Sequence, residues 1–168
     1  MGSQIIQHPF PALYSCDSKI LILGSFPSVK SREQKFFYGH PQNRFWRVLA
    51  SLLCTDIPQS IEEKRILLSE NHIALWDVIA SCEISGSSDS RIRNVVPNDL
   101  TPILKTADIR RIFTNGGKAH ELYRKYTFPL TGLEDIRLPS TSPANAACSV
   151  EKLIEEWKII LDALASDI

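Results

Sequence analysis

Four short apolar runs, at residues 19–23, 72–76, 111–114 and 135–138, alternate with stretches whose apolar residues recur at helical spacing. Strands alternating with helices imply parallel pairing and right-handed crossovers, because each helix must carry the chain back across the sheet. Phe45, Trp46, Leu49, Leu52 and Leu53 fall on one helical face. Further helices are expected over 60–70, 98–105 and 119–126, the last opened by Gly116-Gly117. Ser149 is a good N-cap for a final helix that carries Leu153, Ile154, Trp157, Ile160 and Leu161 on one stripe. The expected fold class is α/β: three layers, helix–sheet–helix, around a central four-stranded parallel sheet.

Each strand runs into a segment of small or polar residues: GSFPS, DVIASCE, NGGK and PSTSPAN. The C-terminal ends of parallel strands share one edge, so these segments converge. Open α/β sheets place their ligands at that edge. Between the first two strands lies YGHPQNRFW (38–46), a dense mix of aromatic, amide and basic residues.

The chain has 168 residues, is 43% hydrophobic and 23% charged, and is read as one domain with an N-terminal arm over 1–18. No stretch approaches the ~18 apolar residues of a membrane span. The N-terminus lacks the basic and apolar regions of a secretory signal. The expected location is the cytoplasm, with activity at the nucleoid, or the nucleus if the source has one. Cys16, Cys54, Cys82 and Cys148 form no C-x-x-C pair and read as thiols, with an iron–sulfur site from dispersed cysteines as the alternative. His8, His40, His72 and His120 share no metal-ligand spacing, so no catalytic metal and no cofactor are expected.

Formal net charge is zero, which argues against broad, non-specific nucleic-acid binding. Local charge differs. Arg32, Lys35, Arg44 and Arg47 face only Glu33 over 32–47, Arg91 and Arg93 add a second basic point, and the segment after Val150 is acidic.

Several residues carry two readings. Asn43 caps the helix that starts near Phe45, or its amide points into the strand-end pocket. Phe36, Phe37 and Tyr38 are core aromatics, or one of them offers a face to a nucleobase. Asp77 is a loop hydrogen-bonder, or it accepts from a ring N–H in a base pocket. The polar run Asp89, Ser90, Arg91, Arg93 and Asn94 touches a sugar–phosphate backbone, or it is a solvated loop. Gly86–Ser90 is flexible by composition. Gly116-Gly117-Lys118 lacks the rest of a phosphate-loop pattern.

Taken together, GSFPS, YGHPQNRFW, LWDVIASCE with DSRIRN and VPNDL, IFTNGGKA and LPSTSPAN resemble the uracil-DNA glycosylase superfamily, and within it the hypoxanthine-DNA (deoxyinosine-DNA) glycosylase branch. The resemblance covers residues 19–157. It implies a glycosylase fold and monofunctional hydrolysis of the N-glycosidic bond of a deaminated base in double-stranded DNA, by a monomer. It puts Asn43 in the catalytic role. Gly24, Ser25, Phe26, Phe37, Tyr38 and Asp77 then bind the base. Pro27, Ser28, Arg44, Ser140, Thr141, Ser142 and Asn145 then contact DNA.

The chain departs from the uracil-specific pattern. GSFPS offers no carboxylate or amide, Leu138 stands where a His is common, and Asp77 stands where an Asn is common. Two alternatives stay open: a mismatch-type uracil enzyme, and a damage-binding module without chemistry.

Overall fold

The computed structural model describes residues 4–85 and 92–165. The flexible loop expected at 86–90, and with it Asp89, Ser90 and Arg91, lies outside the described residues. The chain opens with a short strand, β1 (Gln4–Gln7). The four expected strands follow as β2 (Ile20–Gly24), β3 (Ile73–Asp77), β6 (Arg111–Asn115) and β7 (Asp135–Leu138). They form one parallel sheet in the order β3-β2-β6-β7.

The strand order explains where a ligand sits. From β2 the chain moves to β3 on one side, and the next main-sheet strand, β6, lies on the other side. The junction of β2 and β6 is therefore a topological switch point, where strand-end loops diverge and leave a crevice. Register brings Gly24 beside Asp77, and Asn115 beside Leu138, along the same edge.

β2 is buried throughout, as a central parallel strand covered on both faces must be. Its residues alternate between two cores. Ile20 and Ile22 pack with α2 (Phe45–Leu52), α3 (Ile61–Glu70), α7 (Val150–Trp157) and α8 (Ile159–Ala165). Leu21 and Leu23 pack with α4 (Thr101–Thr106) and α5 (Gly117–Leu122). The three-layer architecture follows from this period-two division. The predicted Ser149 cap is present, accepting from Lys152 N at 3.2 Å, and Ser60 caps α3 in the same way, accepting from Glu63 N at 3.0 Å.

Four features differ from the sequence expectation. A second sheet, antiparallel in the order β1-β4-β5, joins β1 to β4 (Ile79–Ile84) and β5 (Ile92–Pro97). The DVIASCE segment, expected as a strand-end loop, is largely strand β4. A short helix, α1 (Val29–Gln34), follows the GSFPS loop and is capped by Ser28. The helix expected over 119–126 starts two residues earlier and runs on through a π turn (Tyr123–Thr127) into α6 (Phe128–Thr131). Pro129 explains the π turn: it has no N–H, and its ring crowds the carbonyl four residues back, so the coil widens there. No described helix is long and apolar enough to cross a membrane.

Candidate active site

The loops after β2, β6 and β7 enclose a cleft of about 550 Å³. Gly24, Ser25, Phe26, Pro27 and Ser28 line it from the first loop. Phe37, Tyr38 and Asn43 enter from the segment before α2, and Asp77 from the end of β3. Ser140, Thr141 and Ser142 close the far side. Of the residues predicted for the site, only Arg44 and Asn145 are not among its lining. A larger groove of about 840 Å³ runs along β7, α7 and α8, but its lining includes neither Asn43 nor Asp77 nor the loop at 24–28.

Asn43 satisfies both of its readings at once. Its Oδ1 accepts from Phe45 N at 2.9 Å, which caps the first turn of α2. The same oxygen accepts from Thr141 Oγ1 at 2.8 Å. A backbone N–H can only donate, so the atom it meets must be the amide oxygen. Both lone-pair directions of that oxygen are then occupied, and Nδ2 is the end of the amide left to act on a ligand. Thr141 is fully buried. It accepts from Asn115 Nδ2 at 3.0 Å, and its backbone N donates to Asn115 Oδ1 at 3.0 Å. The chain Asn115–Thr141–Asn43 thus orients and polarises one amide.

Asp77 and Tyr38 form the other wall. A Cβ on Gly24 would lie 2.5 Å from Asp77 Oδ1 and 3.2 Å from the Tyr38 hydroxyl, so only glycine lets these groups approach the strand. Asp77 Oδ2 is 2.7 Å from His8 Nε2. Tyr38 holds a left-handed backbone, φ 52°, sparsely populated for an aromatic residue. Its ring stacks on Phe45 with centroids 4.1 Å apart. Its hydroxyl is buried beside the Asn115 amide but makes no well-formed hydrogen bond among the described residues. Burial, and then the Asp77 carboxylate, push that hydroxyl well above the ordinary phenol range. Phe37 is buried edge-on against Phe10, so of the two aromatics Tyr38 is the more exposed to the cleft.

The loop after β7 is held from within, which reassigns three predicted DNA contacts. Arg44 donates through Nη2 to Ser142 O at 2.8 Å and Asn145 O at 3.0 Å. Its Nη1 reaches Cys148 O and its backbone N reaches Thr141 O. The guanidinium expected to contact DNA donates instead to carbonyls of its own chain. Asn145 Nδ2 donates to Ser140 O at 3.0 Å, another brace inside the loop. The Thr141 side chain is buried beside Asn43 rather than offered to DNA. Trp157 Nε1 fastens the loop's start through Pro139 O at 2.9 Å. Gly116, at φ 100°, brings the β6 loop so close that a Cβ would meet Ser140 Cβ at 2.9 Å.

Cations at the rim come from residues not assigned to the site by sequence. Lys118 lines the cleft, and Arg32 lines it while donating to Pro27 O at 2.8 Å. Asn115 and His8 were missed as well. Asn115 has a signal, since it ends β6 as Asp77 ends β3; His8 has none, since its partner is far away in sequence. Arg93 and Asn94 lie on β5 and do not line the cleft. Among the described residues, no group of three or more His, Cys, Asp or Glu side chains is placed to hold a metal ion. All four cysteines are free thiols, Cys82 and Cys148 buried, Cys16 and Cys54 exposed.

Residues 11–164 match the family model of the uracil DNA glycosylase superfamily. A hypoxanthine DNA glycosylase of Methanosarcina acetivorans is 35% identical over 93% of this chain and 98% of its own length. A second, from Methanosarcina barkeri, is 36% identical over 67% of this chain and 72% of its own. A solution NMR structure from Methanosarcina acetivorans, described provisionally as a uracil DNA glycosylase, superposes with a TM-score of 0.81. It has 34% identity and covers 97% of this chain and 100% of its own. The chain belongs to the uracil DNA glycosylase superfamily and is a DNA glycosylase.

Proposed function

We propose that this glycosylase excises a deaminated base, hypoxanthine by preference, from double-stranded DNA, acting as a monomer and without a strand-cleaving step. The observation that carries the proposal is the pairing, across one cleft, of a carboxylate acceptor at Asp77 with an amide whose free end, Asn43 Nδ2, is a donor. Hypoxanthine presents a ring N–H beside a carbonyl, where adenine presents a bare ring nitrogen beside an amine. Asp77 accepts from the first and repels the second. The relatives named as hypoxanthine DNA glycosylases support the same choice.

The target nucleotide leaves the stack to reach the cleft. Tyr38 stacks on the extruded base, and the loop from Ser140 to Asn145 fills the gap it leaves. Lys118, Ser28 and Ser140 meet the flanking phosphates. The C1′–N9 bond then breaks with its electron pair going to the base. A water oxygen bonds to C1′, and its proton passes to solvent or to the released base. Asn43 Nδ2 and backbone N–H groups of the 24–28 loop stabilise the charge that develops, a role of the oxyanion-hole type. With Oδ1 committed, Asn43 acts as a donor and holds a water only through that water's oxygen. No lysine is available in these motifs as the amine of a Schiff base except Lys118 at the rim.

Uracil is the second reading, because its ring N–H between two carbonyls suits the same acceptor. A panel of duplexes carrying hypoxanthine, uracil or xanthine, scored for alkali-labile abasic sites, separates them. Hypoxanthine should give the fastest single-turnover rate. Equal or faster loss of uracil would reverse the preference. Tight lesion binding without product would leave only a binding module.

A further inference from the structure

We infer that His8, in the segment that leads out of β1, is a specificity-positioning residue of the base pocket, and that it aims the carboxylate that reads the base. His8 Nε2 lies 2.7 Å from Asp77 Oδ2, although the two residues are 69 positions apart. Their side chains are only 3% and 6% exposed. His8 is walled by Phe10 and Trp76, each with ring centroids 4.5 Å away, and by Phe26 at 5.9 Å. Its backbone N is tied to Ala80 O at 2.8 Å, so β1 and β4 fix the imidazole's position.

A carboxylate oxygen can only accept, so the hydrogen of this bond sits on Nε2. The opposite nitrogen, Nδ1, is buried with no partner among the described residues. A hydrogen there would have no acceptor, so the hydrogen the ring directs at a partner is the one on Nε2. The pair therefore supplies one directed donor to Asp77 Oδ2 and leaves Oδ1, the atom over Gly24, as the acceptor facing the cleft. Without His8, no other group among the described residues bonds Oδ2 to hold the carboxyl plane, and the acceptor would turn away from the ring N–H. The ligand class that follows is a base with a ring N–H next to a carbonyl, as in 6-oxopurines and uracil. The N-terminal segment is in this view part of the reading head rather than an arm.

This inference rests on the base-removal proposal above, and the test separates the two. Wild type, His8→Phe and His8→Gln are compared for single-turnover excision from a deoxyinosine duplex. They are also compared for affinity to the same duplex carrying a tetrahydrofuran abasic analogue, which has no base to read. Phenylalanine keeps the aromatic packing and removes the donor; glutamine keeps an N–H of similar reach. His8→Phe should lower excision about 10- to 100-fold, the range for one hydrogen bond to a charged group, while affinity for the analogue stays within about twofold. His8→Gln should recover most of the rate, and His8→Phe should add nothing to Asp77→Asn. Equal losses in excision and analogue affinity, no loss at all, or effects that multiply with Asp77→Asn would overturn the role of His8. Absence of abasic product from wild type would instead sink the hypoxanthine reading.

Discussion

Thr141→Val isolates the arrangement on which the chemistry depends. Thr141 is fully buried, and valine nearly matches its shape. The backbone bonds from Arg44 N to Thr141 O and from Thr141 N to Asn115 Oδ1 are untouched. What disappears is the hydroxyl that donates to Asn43 Oδ1 at 2.8 Å and accepts from Asn115 Nδ2 at 3.0 Å. Asn43 then keeps one anchor, Phe45 N, and its amide can rotate. A neutral hydrogen bond contributes about 0.5–1.5 kcal/mol, so the excision rate should fall by roughly 3- to 10-fold. Stranding Asn115 Nδ2 should cost about 1 kcal/mol of stability, at the low end for an unsatisfied donor because Asn115 is only half-buried and water can reach it. Single-turnover excision and urea unfolding measure the two effects. Thr141→Ser, which keeps the hydroxyl, should stay within about twofold of wild type in rate. A wild-type rate for Thr141→Val, or equal slowing by both variants, would refute the orienting role.

Other outcomes follow from the same geometry. Arg44→Ala should destabilise the fold by about 3 kcal/mol or more, because it strands several loop carbonyls at once; Lys118→Ala should leave stability alone and reduce the salt slope of DNA binding by about one. Comparing urea midpoints and salt titrations of the two variants checks both, and a reduced salt slope in a stably folded Arg44→Ala would restore that residue to the DNA surface. Gly24→Ala should keep DNA affinity but lose excision, since its Cβ must displace Asp77 Oδ1 from 2.5 Å; an active Gly24→Ala enzyme would contradict the wall described here. Tyr38 has a raised folded-state pKa, so below the unfolded phenol value of about 10 both states are neutral and titration contributes nothing. Above it the unfolded chain releases the proton first, and stability should fall by up to about 1.4 kcal/mol per pH unit. Tyr38→Phe should flatten that fall in urea unfolding between about pH 9 and 11, and parallel curves would show the hydroxyl is not buried as described.

The parallel sheet was legible because a strand buried on both faces must be a continuous apolar run, and Ile20–Leu23 is one. Its loops converge by topology, which brought Gly24, Asp77 and Ser140 to one edge, and the family resemblance carried by YGHPQNRFW added Asn43 to that cleft. The antiparallel sheet was not legible. β4 starts two residues after β3 ends, so Asp77-Val78-Ile79 reads as one strand running out, and β1 is only four residues long. Arg44 shows a different limit. Sequence displays its charge but not the carbonyls of Ser142, Asn145 and Cys148 that it meets across about 100 positions. Local pattern likewise gives no sign that His8 lies on Asp77.

The most direct test of the account is single-turnover reaction of wild type and Asn43→Ala on a duplex with one deoxyinosine, beside a matched uracil duplex, developed with alkali. Wild type should give abasic cleavage of the inosine strand, and Asn43→Ala should be slower by about 10²- to 10³-fold. A wild-type enzyme inert on inosine, or an Asn43→Ala enzyme as fast as wild type, would contradict it.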